Sequence, residues 1–439
     1  MKNRGLLFAA AVLAALGGVL YWSNHHKPTE TVQASVDTPP KILSLNDSDV
    51  NRVELKKKDG ADLVLQKQDG KWQITSPQQL RADESAVSGM ISSLSSLSSD
   101  RLVEDKADNV GEFGLQSPAL EVDVSVKNDT HKLLIGDDTP TGSGSYAKLE
   151  NDPRVFTIAS YTKSNIDKSV NDLRDKRLVT AEPDKVSRID LNADGQQLEF
   201  GRNKDQWQIL KPKPMRADSF AVDELVRKLT DAKMDLSSDD QKKAASAFAS
   251  GKPVATATLT TDSGNQQLQI RKSKDTYYAK SSVIAGVYKV SIDVGEGLNK
   301  KLDDFRNKKL FDFGYTDPDK IAIRKDSKPY FLTKGGDDWW SGDGKKLDLA
   351  SAESVLEKLR DLQATKFVDS GFGTPVLEAD VTSNSGKRVE KVQISKSGDA
   401  YIAKRENDQS LYVLNSNAVE DLKKAVTDLK PDELRNSKK

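Results

Sequence analysis

The chain has 439 residues, room for about three domains. It carries 67 basic and 67 acidic residues, a balance that argues against a nucleic-acid binder resting on phosphate neutralisation. Cysteine is absent and the histidines are His25, His26 and His131, which excludes disulfides, thiol catalysis and cysteine-ligated zinc.

Lys2 and Arg4 precede an uncharged apolar run over 5–22, and its 18 residues span about 27 Å as a helix, close to the hydrocarbon thickness of a bilayer. Basic residues before the run and Tyr21–Trp22 at its end predict a signal anchor over 1–23. A cleaved signal peptide is the alternative. Either way the rest of the chain is expected across the inner membrane of a Gram-negative cell, in the periplasm, with a single pass under the anchor reading. Residues 24–41 have no periodicity and carry Pro28, Pro39 and Pro40, so they read as a linker.

Beyond the linker the sequence holds three copies of one unit. Trp72, Trp207 and Trp339 are 135 and 132 residues apart. Each ends a run of alternating apolar pairs: Val53/Leu55 and Leu63/Leu65, then Ile189/Leu191 and Leu198/Phe200, then Ile321/Ile323 and Tyr330/Leu332. Alternation broken by Asp59-Gly60 and Asp194-Gly195 predicts a three-stranded antiparallel meander. WQITSPQQLRAD (72–83) matches WQILKPKPMRAD (207–218), and Asp83 and Asp218 fall where a helix N-cap belongs. Helical spacing comes next at Val87, Met90, Ile91, Leu94 and Leu97, at Val222, Leu225, Val226 and Leu229, and at Val355, Leu356, Leu359 and Leu362. A second strand set ends in SYAK, YYAK and YIAK, with an aromatic eight residues after each lysine: Phe156, Tyr288 and Tyr412. A closing helix is expected to contain DLRDKRL (172–178), DDFRNKKL (303–310) and, in the third unit, 419–429. The predicted fold is therefore α+β: an N-terminal transmembrane helix, then three tandem repeats, each β-β-β-α-β-β-β-β-α. Their expected bounds are 42–181, 182–313 and 314–430, with a polar tail over 431–439.

No catalytic constellation emerges. His131 sits in an alternating run and reads as a strand-surface residue, so Ser143 and Ser145 have no base beside them in the sequence. Asp137–Asp138 opens a Gly/Ser-rich turn that matches neither a P-loop nor a twelve-residue calcium loop. The chain is expected to be no enzyme, with no cofactor and no metal. The candidate binding surface comprises Trp72, Trp207 and Trp339 as a carbohydrate platform and Lys148, Lys280 and Lys404 as a groove for an anionic polymer or lipid. The competing structural reading makes the tryptophans sheet-packing residues and the lysines solvent-facing strand residues. The Arg-Ala-Asp triplets at 81–83 and 216–218 read as turns with an N-cap. Arg174, Lys176 and Arg177, and likewise Arg306, Lys308 and Lys309, are expected to end helices and complement their dipoles, with anionic-lipid contact as the alternative.

One combination of motifs resembles the bacterial domain-of-unknown-function family numbered 4340. Its marks here are Trp72, Ile74, Pro77, Ala82, Asp83, Phe113-Gly114-Leu115, Pro118, Ile135-Gly136, Tyr146, Lys148, Val155-Phe156, Leu173-Arg174-Asp175-Lys176 and Leu178. The second unit keeps Trp207, Pro212, Ala217, Asp218, Tyr278, Lys280, Arg306 and Leu310, and the third is partial. The resemblance implies a membrane-anchored envelope protein, often found with ABC-2-type permease and ATPase components. It supplies no catalytic residues. The expected role is a non-catalytic binding or scaffold subunit of such a transporter assembly, with envelope proteins as partners and no nucleic acid. A glycan- or cell-wall-binding repeat protein is the alternative.

Overall fold

A computed structural model describes residues 40–433 apart from 205, 238 and 239. The expected anchor, nearly all of the linker and the last six residues lie outside the described residues. Among the described residues, no helix is long and apolar enough to cross a membrane.

The chain divides into two compact units, Met1–Asp175 and Lys176–Lys439. The first unit holds β1 (Val50–Lys57), β2 (Leu63–Gln68), β3 (Lys71–Ser76), β4 (Leu80–Arg81), α1 (Glu84–Ser95), β5 (Arg101–Glu104), β6 (Leu120–Val126), β7 (Asp129–Asp138), β8 (Gly144–Leu149), β9 (Val155–Ala159), α2 (Ser160–Ile166) and α3 (Val170–Leu173). Its strands form one sheet in the order β4-β3-β2-β1-β6-β7-β8-β9-β5. The alternation explains the layering. Val53 and Leu55 pair with Leu65 and Leu63 on the inner face, while Arg52, Glu54 and Lys56 take the outer one. Val87, Met90, Ile91 and Leu94 of α1 complete the core with Ile166 and Leu173. His131 lies on β7 with Asp129 3.6 Å away.

The second unit holds two further sheets. One uses β10 (Arg188–Ala193), β11 (Gln196–Asn203), β12 (Gln206–Lys211), β13 (Met215–Arg216), β14 (Lys252–Thr261), β15 (Gly264–Ser273), β16 (Thr276–Ser281) and β17 (Val287–Val290), with helices α4 (Ser219–Thr230), α5 (Gln241–Ser250), α6 (Ile292–Leu298) and α7 (Leu302–Phe305). The other uses β18 (Lys320–Lys325), β19 (Lys328–Gly335), β20 (Asp338–Ser341), β21 (Ala364–Val368), β22 (Pro375–Ser383), β23 (Arg388–Ser397), β24 (Ala400–Arg405) and β25 (Leu411–Leu414), with α8 (Leu349–Arg360) and α9 (Ser416–Thr427). Every pairing between these strands is antiparallel, and the orders are β13-β12-β11-β10-β14-β15-β16-β17 and β20-β19-β18-β22-β23-β24-β25-β21.

The repeated α+β plan is present, with three departures from the predicted string. Short strands β4, β5, β13 and β21 are added to it. The second copy places α5 where the first and third place β5 and β21. The closing helix is split into α2 and α3 in the first copy and α6 and α7 in the second. The basic residues expected at helix ends are also corrected: α3 stops at Leu173 and α7 at Phe305, so Arg174 and Arg306 begin extended segments. These bridge to Ala82 and Ala217, and the bridging takes precedence over helix continuation.

The chain reuses these segments. The N–H of each N-cap aspartate returns to the closing helix or the segment just after it: Asp83 to the carbonyl of Leu173 at 2.7 Å and Asp218 to Phe305 at 2.8 Å, at the helix ends, and Asp348 to Lys430 at 3.0 Å, past the end of α9. A few residues on, the same strand of chain enters the next core. The N–H of Leu178 donates to the Ala232 carbonyl at 2.8 Å, and that of Leu310 to the Leu362 carbonyl at 3.0 Å. In the first copy Ile42 donates to Leu97 at 2.8 Å. Leu178, Val179 and Ala181 are core residues of the second sheet, and Leu310, Phe311 and Phe313 of the third. Each core thus starts a few residues ahead of the bounds expected at 182 and 314.

Candidate functional site

The repeated aspartates do what their position requires. Asp83 Oδ1 accepts from the N–H groups of Ser85 and Ala86 at 3.0 and 3.1 Å, and Asp218 Oδ1 from Phe220 and Ala221 at 3.0 and 3.2 Å. Asp348 caps α8 through Ser351 at 3.0 Å, although the third copy lacks the Arg-Ala-Asp triplet. The glycines of the repeated motif are also structural. A Cβ on Gly136 would stand 2.1 Å from the carbonyl oxygen of Phe113, so the Phe113-Gly114 turn packs directly on β7.

The expected tryptophan platform is not formed. Trp72, Trp207 and Trp339 are 5%, 2% and 2% exposed and belong to the three cores. Strand alternation turns each one inward beside the next helix in the chain. The indole Nε1 of Trp207 donates to Asp223 of α4 at 2.8 Å. The lysines do not act alike either. Lys148 is 8% exposed, and its Nζ donates to the carbonyls of Leu149 and Glu150 at 2.8 and 3.2 Å. Lys280 and Lys404 are exposed and stand on different sheets of the second unit, so they do not make one groove.

The second unit does contain a cleft of about 660 Å³ between its two sheets, walled by Gln208, Arg216 and Phe220 on one side and Asn307, Asp312 and Arg388 on the other. Its floor is an ion network built on the repeated arginine. Arg216 Nη2 binds Asp312, and Nη1 donates to the Lys309 carbonyl at 2.8 Å and to the Tyr412 hydroxyl at 3.4 Å. Arg388 reaches the Asp312 carboxylate at 3.2 Å and Glu390 at 3.2 Å. Glu390 also accepts from Arg405 at 3.0 Å and from the Asp312 N–H at 3.1 Å. The Tyr412 hydroxyl donates to Asp408 at 2.5 Å. Burial alone would raise the Asp312 pKa, but Arg216 beside it, with Arg405, holds the carboxyl below the usual aspartate range. Burial pushes the Tyr412 phenol up to about 12. In the first unit the matching arginine, Arg81, lies 3.6 Å from Asp175.

Such a network clamps the two sheets together through Arg216, which reaches Asp312, the Lys309 carbonyl and Tyr412, while Arg388 and Glu390 pair along β23. Among the described residues, no cluster of three or more His, Asp or Glu side chains is arranged to hold a metal ion. Sequence reading selected Arg216 and Tyr412 only as repeat marks and missed Asp312, Arg388, Glu390 and Arg405. No spacing rule joins Arg216 to residues about 100 to 200 positions away. It also passed over Trp340, which is 38% exposed because alternation must turn one of two consecutive strand tryptophans outward.

Residues 72–215 and 207–384 each match the family described as Domain of unknown function (DUF4340). The chain belongs to this family. The two overlapping matches span most of the chain, and the first two Trp-to-Trp periods fall inside them, as expected of a repeated domain. No curated protein and no solved structure matches the chain. In this DUF4340 protein the motif positions Trp72, Asp83, Gly136 and Phe156 serve packing, capping and turn formation.

Proposed function

We propose that this chain is a non-catalytic binding and scaffold protein of the cell envelope, held at the inner membrane by its N-terminal segment. It serves as an accessory subunit of an ABC-type transporter assembly. The supporting observation is the clamp between the second and third sheets. Arg216, Asp312, Arg388 and Glu390 form one ion network that ties the two sheets of the second unit together. A body of that kind presents surface to partners. The transporter association itself rests on analogy with the family.

The test is affinity purification of the full chain from its native membrane, followed by mass spectrometry. Recovery of a permease and an ATPase in stoichiometric amounts is the expected result. Recovery of the chain without any membrane-protein partner overturns it.

A further inference from the structure

The chain enters its second and third cores through the same latch, built from different chemistry. Leu178 and Leu310 are equivalent, since each donates its N–H to the residue that follows the long helix of its core by two positions, Ala232 after α4 and Leu362 after α8. Two residues on from each leucine stand Thr180 and Asp312. On the strands that receive them, register makes Gly264, Gln266 and Ser281 of the second core correspond to Arg388, Glu390 and Arg405 of the third.

In the second core these contacts are neutral. Gln266 Oε1 accepts from the N–H groups of Thr180 and Ala181 at 2.8 and 3.1 Å, and Gln266 Nε2 donates to Thr180 Oγ1 at 3.1 Å. Ser281 Oγ donates to the Leu178 carbonyl. In the third core the same backbone groups meet charges. The Asp312 N–H donates to the Glu390 carboxylate at 3.1 Å, and Arg405 Nη1 donates to the Leu310 carbonyl. Arg388 adds a bond to the Asp312 carbonyl at 3.2 Å and, with Arg216, holds the Asp312 carboxylate.

The neutral latch grips the N–H and carbonyl groups that the charged one grips, so charge is not required for seating. What charge adds is discrimination. Asp312 seated in the second core would bring its carboxylate to Gly264, Gln266 and Ser281, none of which carries a charge. Thr180 seated in the third core would leave Arg388 and Arg405 sharing Glu390 alone, three charged groups with one carboxylate among them. Each mismatch removes the counter-charge of a partly buried ion, a cost the matched pairs do not carry. Exchange of equivalent segments between copies or between chains is a characteristic misassembly of repeat proteins.

We infer that the two latches form a pairing code that keeps each entering segment in its own core. Asp312 is the specificity-determining residue, and Arg388, Glu390 and Arg405 read it. Thr180 and Gln266 form the neutral half of the code. Such sorting governs how the repeats assemble and does not depend on what the chain binds.

The test uses the full chain and three variants. Asp312→Thr puts the neutral residue into the charged core. The triple variant Arg388→Thr, Glu390→Gln and Arg405→Ser leaves Asp312 in a neutral core. The quadruple variant combines all four changes and rebuilds the latch of the second core. Each mismatched variant should melt at least about 4 °C below wild type, and the quadruple variant should melt above both. If the triple variant does not fold, Asp312→Thr against the quadruple variant decides. The second readout is refolding from urea followed by size-exclusion chromatography. Wild type should return to its original elution volume, whereas the quadruple variant, whose two latches no longer differ, should give an added swapped species of larger size. A quadruple variant that melts at or below Asp312→Thr overturns the code, and so does one that refolds as cleanly as wild type.

Discussion

Trp207 and Trp340 show how one residue type takes opposite roles in the same fold. Trp207 fills the second core and anchors its indole on α4, so Trp207→Ala should cost about 3–5 kcal/mol, measured by guanidinium unfolding. A loss under about 1 kcal/mol would mean the ring does not pack as described. Trp340→Ala, at a part-exposed site, should cost far less. Asp218 tests a different contribution. Its carboxylate serves two N–H groups of α4, and Asp218→Ala should remove about 1 kcal/mol, read from the same unfolding curves.

Between elements, the clamp has a pH signature. The Asp312 pKa is lowered in the folded chain, so its contribution is present above the ordinary aspartate value of about 3.9 and is lost as pH falls through the lower folded value. Stability of the second unit should therefore fall on acidification below about pH 4. Asp312→Asn should flatten that dependence and lower stability at neutral pH by up to about 3 kcal/mol, because Arg216 and Arg388 lose a partly buried counter-charge. Parallel acid profiles of variant and wild type would refute the assignment. Much of this level was legible beforehand. The meanders and the helix after each come from period-two and period-3.6 spacing, and the caps Asp83 and Asp218 from the repeated Arg-Ala-Asp, whereas the Asp348 cap was not read. The extended course of Arg174–Leu178 was not, because a basic segment after a helix resembles a helix end until its bridge to Ala82 is seen. The recurrent tryptophans were read both as a platform and as sheet-packing residues, and their burial decides for packing. The clamp was hidden for another reason, since its members are far apart in the chain and joined only by tertiary structure.

For the whole molecule, the overlap between copies sets where it can be cut. A fragment over 176–439 should fold cooperatively, since it retains Leu178, Val179 and Ala181 within the second core. A fragment over 182–439 lacks those side chains and should be less stable by several kcal/mol, on the order of one buried leucine and one buried valine removed from a core. Equal melting midpoints for the two fragments would contradict this. The bounds read from the sequence miss the point because a few apolar residues between elements carry no periodicity to assign them forward or backward.

The same overlap bears on how such an array lengthens. A duplication that breaks the chain just after Asp175 or Asn307 copies a complete core, with its leading leucine attached. A break at the prolines a few residues later, where the sequence looks most like a hinge, delivers a copy that lacks its first core side chains and leaves its parent trailing an apolar stub. Growth by whole units is therefore confined to a short window of breakpoints. Loops added between Leu178 and β10 would not act as tethers, because both ends of that stretch are already fixed in one core.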